Sequence, residues 1–257
     1  MALNFNPPVG AKLNWSHPIN RGLVGCWLFN EAGGQKFKDI AGVNDGTGVN
    51  SPTVATGQYG VGIKLSNSVA NQYVSIGTNS SLNLSTDATI LVFVNLVATT
   101  GIQWLGATGD NAGNVQFGFE VGRTANKIDT IWGTSGGGFD ILTSTNTISA
   151  GKWYMLAVTR TGSGTSWSAS LYINGVLDST QAGVKAPSSF VAGYIGAFSN
   201  GGNQSGNLSL NGVRYYNRAL SAQEIRQLYV QPFAGVNVKP WMSFASAATR
   251  LYGFVFG

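Results

Sequence analysis

The stretch from Gly151 to Asp178 constrains this chain more than any other. From Trp153 to Val158 nearly every side chain is apolar, as in a central strand covered on both faces, with Trp153 a core residue. The segment that follows alternates, with Ala169, Leu171 and Ile173 on one face and Ser168, Ser170, Tyr172 and Asn174 on the other, the period of a half-buried strand. Thr161-Gly162-Ser163-Gly164-Thr165 supplies one reversal and Asn174-Gly175 the next. The latter dipeptide suits a two-residue turn in which both positions need positive φ. Two long antiparallel strands and a third shorter one therefore form the middle of a β-sandwich.

A chain of 257 residues is long enough for one large sandwich, burying about 70–75% of the surface its unfolded form exposes. Only 10% of the residues are charged, against a usual level of about 25%. With 36 glycines, the composition is that of short strands and many turns. The net charge of +5 comes from scattered single Lys and Arg residues. With no basic stripe or stacking motif beside it, that charge does not point to nucleic acid. Cys26, the sole cysteine, sits in the apolar run Leu23–Phe29 and reads as a small buried hydrophobe. Neither a signal-peptide pattern nor an apolar run long enough to span a membrane is present, so the expectation is a chain made without classical export and without membrane insertion.

The chain divides into an N-terminal arm (1–21), a sandwich (22–229) and a C-terminal arm (230–257). Strands are expected at Gly22–Asn30, Gly60–Leu65, Tyr73–Ile76, Thr89–Val97, Gln103–Ala107, Val115–Val121, Lys127–Trp132, Phe139–Leu142, Phe190–Gly196 and Leu208–Tyr216, separated by Gly/Asn/Ser clusters. One helix is expected after Ser221. Ser221 and Glu224 form a capping-box pair, and Leu220 and Ile225 a hydrophobic staple.

Several motifs, in order, carry a resemblance. They are the strand Leu23, Val24, Trp27, Phe29, Asn30, Glu31 with Gly33-Gly34 behind; the loop Asp39 to Gly46; Trp153-x-x-Leu156-Ala157-Val158-Thr159 with Leu171-Tyr172-Ile173-Asn174-Gly175; and Val213 to Ile225. Together they resemble the laminin-G-like, concanavalin-A-like lectin and glucanase jelly rolls over Gly22 to Tyr229. The resemblance implies an all-β antiparallel jelly roll with one short C-terminal helix and extended terminal arms. One departure is Asn211-Gly212, where relatives often carry acids. The opening Asn14-Trp15-Ser16-His17-Pro18 with Arg21 to Trp27 resembles lectin-like proteins of tailed phages and prophages, and Lys239-Pro240-Trp241 with Phe244 resembles their ending.

Family glycosidases place acids at alternate positions of one strand so that two carboxyls flank the sugar bond. Here no two acids share a strand face at that spacing, and Glu120 and Asp129 lie on separate strands. A Ser-His-Asp triad would need His17, the sole histidine, in a proline-flanked arm. The chain is therefore expected to be non-enzymatic. Asp39, Asn44 and Asp45 offer hard oxygens in a Gly-rich loop, as Ca²⁺ requires, and are equally good turn formers; Asp110-Asn111 is a weaker version. Trp104, Trp132 and Trp167 are candidates for a glycan site and equally for the core. The tail residues Trp241, Phe244, Tyr252, Phe254 and Phe256 form an uncharged aromatic run that needs covering, by the chain's own sandwich or by a partner. The expected function is a virion structural protein, a capsid decoration or tail surface protein, with other virion proteins or further copies of itself as partners and glycans as ligands. The alternatives are a lectin-like module without a virion role and a glycoside hydrolase.

Overall fold

The computed structural model describes residues 6–67, 71–109, 115–133, 139–163, 166–184, 189–198 and 206–237. Two antiparallel sheets face each other. The first runs, in hydrogen-bonded order, β15 (Val176–Val184), β14 (Ser166–Ile173), β13 (Trp153–Ser163), β8 (Ala88–Leu96), β17 (Leu208–Tyr216), β6 (Gly60–Leu65) and β5 (Thr53–Gly57), with β2 (Leu23–Trp27) also paired to β17. The second runs β12 (Phe139–Thr143), β11 (Ile128–Gly133), β10 (Val115–Val121), β9 (Gln103–Gly109), β16 (Ala192–Ile195), β7 (Tyr73–Gly77), β4 (Gly46–Val49) and β3 (Lys36–Phe37). The expected antiparallel jelly-roll sandwich is present.

The apolar run predicted to be covered on both faces is so covered. On β8 and β13, Ile90, Val92, Val94, Leu156 and Val158 point into the core between the sheets. Leu91, Phe93, Met155 and Ala157 point the other way, into a second buried cluster. A sheet with two buried faces has no polar alternation to display, which is why these strands read as unbroken apolar runs. Asn174 (φ 52°) and Gly175 (φ 79°) both adopt the left-handed conformation predicted for the β14–β15 turn, and a Cβ at position 175 would stand 2.8 Å from Tyr229 Cβ. Trp153, expected in the core, is only partly buried at the start of β13. It pairs with Asn95 at the rim of the sheet, and full burial begins at Met155.

The second cluster is closed by the helix and by both ends of the chain. Helix α1 (Ala222–Val230) has the predicted capping box, Ser221 accepting from Glu224 N–H and Glu224 accepting from Ser221 N–H, and it buries Ile225 and Leu228. Arg218 adds an ion pair to Glu224 at 2.7 Å, holding that carboxyl down at about 2. Two short strands outside the sheets, β1 (Lys12–Leu13) and β18 (Val236–Asn237), pair antiparallel. Ala11, Leu13, Ile19 and Val236 are buried in the same cluster as the helix. Residues 6–21 and 230–237 are thus packed parts of the fold, and the boundaries drawn from sequence at 21 and 230 do not separate them from the sandwich. The remainder of the C-terminal arm, including Trp241, Phe244, Tyr252, Phe254 and Phe256, lies outside the described residues.

Arg214 on β17 ties the C-terminal segment down. It is 3% exposed, and no carboxylate lies within ion-pair distance among the described residues. Its guanidinium instead donates to the carbonyls of Pro232 (2.7 Å) and Ala234 (3.4 Å), while Phe233 meets Tyr59 edge-on at 5.5 Å. Ending the chain after Gln231 removes both carbonyls together with the β1–β18 pairing and the Phe233 and Val236 packing that cover this face. This should destabilise the fold by roughly 3 kcal/mol or more, read as a lowered denaturant midpoint. A chain ending after Asn237 keeps both carbonyls and should unfold at clearly higher denaturant.

Candidate functional site

The loop between β3 and β4 follows from one carboxylate. Asp39 is 1% exposed. Its Oδ1 accepts from the N–H groups of Cys26 (2.8 Å) and Ala41 (2.9 Å), and its Oδ2 from Asn44 N–H (3.1 Å). Burial raises its pKa against the lowering by these donors. Asn44 donates to Val24 O and Ser81 Oγ. Asp45 accepts from Asp39 N–H at 3.0 Å and pairs with Lys38 at 2.9 Å. The three residues singled out for calcium therefore do converge. Both oxygens of Asp39 already accept backbone N–H groups, and Asp45 faces a lysine, so an incoming cation would have to displace protein donors. No group of three or more His, Cys, Asp or Glu side chains is placed to hold a metal among the described residues. Asp110 and Asn111 lie outside them.

Glu120 and Asp129, expected apart, are direct cross-strand partners on β10 and β11. The hairpin register 121↔128 brings them face to face. Glu120 Oε1 accepts from Arg123 Nε at 2.6 Å, its Oε2 has no partner, and Asp129 Oδ1 accepts from Thr143 Oγ1 at 2.6 Å. Burial raises Glu120 to about 7; Arg123 opposes this and the Asp129 charge adds to it. A proton-holding carboxyl beside a second carboxylate has the electrostatics of an acid–base pair. Both residues are 0% exposed, however, and a glycosidic bond cannot reach either.

His17 serves the arm: its Nδ1 accepts Ile19 N–H at the start of a single 3-10 turn, Pro18–Asn20. Cys26 is fully buried, and burial raises its thiol to about 11, leaving the inert hydrophobe expected. Asn211, at the departure from the family pattern, accepts Tyr59 N–H at 2.6 Å and donates to Val61 O at 2.7 Å, holding the β5–β6 turn. The three candidate glycan tryptophans belong to the interior. Trp104 packs on Phe198, Trp132 lies in the core, and Trp167 stacks with the buried Arg160 guanidinium.

The open cleft lies elsewhere, between the N-terminal arm and the 31–45 segment, with a volume of about 780 Å³. One wall is Val9 to Leu13 and Trp15, the other Glu31 and Lys36 to Gly42 with Asp45. Trp15 is 57% exposed, although its turn is fixed. Asn14 N–H donates to Gly235 O (2.8 Å), Ser16 N–H to Asn14 Oδ1 (3.1 Å), and Asn20 Nδ2 to the carbonyls of Asn14 (2.8 Å) and Gly235 (2.7 Å). Opposite, Glu31 Oε1 accepts Lys38 N–H at 2.7 Å, while its Oε2 is buried without a partner. Sequence reasoning did not single out Trp15 or Glu31 as ligand contacts. The usable signal was a tryptophan in a short turn bounded by Asn14 and Pro18, too short to bury it.

The two facing antiparallel sheets and their connections make a lectin-like jelly roll. A family model described as the concanavalin A-like lectin/glucanases superfamily matches residues 67–226, and the chain belongs to that superfamily. No curated protein matches it in sequence. Among solved structures, it resembles the binding domain of paraclostridial mosquitocidal protein 1 (19% identity, TM-score 0.64, covering 84% of this chain and 53% of that one). It also resembles Trypanosoma rangeli sialidase in complex with sialic acid (18%, 0.62, 82% and 33%) and the botulinum neurotoxin type G receptor binding domain (15%, 0.59, 81% and 51%). The chain thus spans about half or less of these structures, and the likeness is one of fold.

Two outcomes follow from the buried carboxylates. Calcium should leave the melting temperature unchanged, whereas Asp39→Asn, which sets an amide against backbone donors, should destabilise by about 1–3 kcal/mol with or without calcium. For Glu120, a folded-state pKa above the unfolded value means that the native state binds the proton more tightly. Its contribution is fully present below about pH 4.5 and is lost as the pH rises through about 7. Thermal melts between about pH 5 and pH 8 should show falling stability, with a shallower slope in Glu120→Gln.

Proposed function

We propose that this chain is a non-enzymatic structural protein of a tailed-phage particle, displayed on the capsid or tail, whose lectin-like jelly roll recognises glycans. The carrying observation is the open cleft of about 780 Å³ beside Trp15, whose lining includes this exposed indole on a fixed turn together with Glu31, Lys36, Lys38 and Asp45. Two of the similar structures are by their descriptions binding domains, which supports recognition over catalysis. The sialidase likeness leaves room for an enzyme. Against it stands the burial of Glu120 and Asp129, both 0% exposed. The virion placement is supported by the resemblance of Asn14 to Trp27 to phage lectin-like proteins and by the weakly charged, Gly-rich composition. Other virion proteins or further copies of the chain are the partners this reading requires.

Gradient-purified particles from cells expressing the chain alongside the remaining structural proteins should contain it in fixed ratio. Its absence from particles, with glycan binding intact, would leave a lectin-like module without a virion role. Incubation with β-glucans and sialosides should release no reducing sugar or sialic acid. Release abolished by Glu120→Gln would establish the hydrolase instead.

A further inference from the structure

We propose that the groove formed by Pro8 to Lys12 beside Asn237 is the docking site of the chain's own next segment, Val238 to Phe244, with the Trp241 indole as its anchor. The inference concerns how the two ends of the chain are held together and does not depend on what the neighbouring cleft binds.

The pairing of β1 with β18 sets Lys12 opposite Asn237 and Leu13 opposite Val236. The next pair in that register would be Ala11 with Val238. Ala11 N–H, however, closes a turn onto Pro8 O at 3.0 Å, and Gly10 takes a positive φ of 84° within it. The arm therefore curls away before Lys12 and offers no further ladder. The sequence beyond Asn237 suits that interruption. It runs Val238-Lys239-Pro240-Trp241-Met242-Ser243-Phe244, and Pro240 has no N–H to give a ladder. These residues lie outside the described part of the structure.

In place of a ladder stands a groove of about 540 Å³, lined among the described residues by Pro8, Val9, Gly10, Ala11, Lys12 and Asn237. No carboxylate is in that lining, and Lys12 is its one charge. Val9 is 66% exposed, and Pro8 and Gly10 beside it are exposed too. The segment leading into this turn is nevertheless fixed. Asn6 N–H donates to Tyr59 O at 2.7 Å, and Asn30 Nδ2 donates to Pro7 O at 2.6 Å. Apolar surface that is already rigid is covered at little further cost in conformational entropy.

Asn237 selects the occupant, because it is both a wall of the groove and the residue from which the chain continues. A segment tethered at the groove's edge has an effective concentration that a separate molecule does not match. Alternation along β18 assigns the directions. Val236 is buried with Leu13, and Asn237 is exposed with Lys12. An extended chain then turns Val238 to the covered side and Trp241 to the side of Asn237, about 13 Å further on. The chemistry matches there. The C–H faces of proline and valine cover an indole, and a lysine ammonium is attracted to its ring. An acidic partner would answer Lys12 alone and leave Pro8 and Val9 wet. Seating the segment also narrows the neighbouring cleft, which shares Val9 to Lys12 as a wall.

Disulfide trapping in the full chain tests this. Val9→Cys and Trp241→Cys are combined in one chain, where Cys26, fully buried, does not compete. The control pairs Trp241→Cys with Phe139→Cys, which is also exposed but lies on β12, at the opposite edge of its sheet from β3. Under copper phenanthroline the first pair should form a monomer-sized cross-linked product about tenfold or more faster than the control. Hydrogen exchange gives a second readout without new cysteines. Amides of residues 8–13 should exchange about fivefold or more faster in Trp241→Ala than in wild type. Amides of β10 and β11 should be unchanged, which separates local release from lost fold. Three results would overturn the proposal: cross-linking no faster than the control, unchanged exchange over residues 8–13 in Trp241→Ala, or a product of dimer size alone. The last would assign the groove to the tail of a second copy. Particle incorporation and sugar binding are read in separate experiments, so the strap fails or stands apart from the function proposed above.

Discussion

The sheet containing β8, β13 and β17 has two buried faces, and much of the remaining architecture is a consequence. Its inner face is covered by the opposing sheet through Ile90, Val92, Val158 and Tyr215. Its outer face, with Leu91, Phe93, Ala157 and Tyr216, needs a second cover, which helix α1, the segments 11–19 and 233–236 and residues such as Tyr59 supply. Hence the capping box that starts α1 at one position and the pairing of β1 with β18. Arg214, buried on that outer face, draws the carbonyls of Pro232 and Ala234 onto it. Once those carbonyls are fixed, Gly235 is fixed, and through it Asn14, Asn20 and the turn carrying Trp15. The cleft is thus a by-product of covering a hydrophobic sheet.

Three acids show how environment assigns a carboxyl its work. Asp39 is surrounded by backbone donors and organises a loop; Glu224 meets Arg218 and a helix start and is held ionised near all accessible pH. Glu120 is placed opposite Asp129 with one oxygen unpaired and is pushed towards neutrality. In each case desolvation and the count of donors decide the outcome. Glu31 shares with Glu120 one satisfied oxygen and one without a protein donor.

Where local chemistry decides structure, the sequence was readable. The strands Val115–Val121 and Leu208–Tyr216 have the predicted bounds, and the Asn174-Gly175 turn and the Ser221 cap are set by residues adjacent in sequence. What could not be read depends on partners far along the chain. β3, β4 and β5 are short, β4 and β5 are rich in Gly and Thr, and only pairing with neighbours makes them strands. The Glu120–Asp129 juxtaposition needs the register across residues 122–127, which composition does not give. Trp104, Trp132 and Trp167 are indistinguishable from Trp15 by residue type. Their fates differ because the first three lie on paired strands, Trp132 and Trp167 in the core and Trp104 covered by Phe198, while Trp15 lies on a turn two residues beyond β1. Trp153 shows the same limit at closer range, since a strand's apolar first residue can stand at the rim.

This division also bears on where recognition can sit in such a fold. The floor of the cleft is made of residues the fold cannot release: Phe37, buried in the core, and Asp39, which holds three backbone donors. The rim is made of Trp15, Glu31, Lys12 and Lys36, whose far ends the fold leaves in solvent or without a partner. A site built this way has a rigid base and a replaceable edge. Changes at the rim open neither hydrophobic cluster, whereas changes at the floor register first as folding defects.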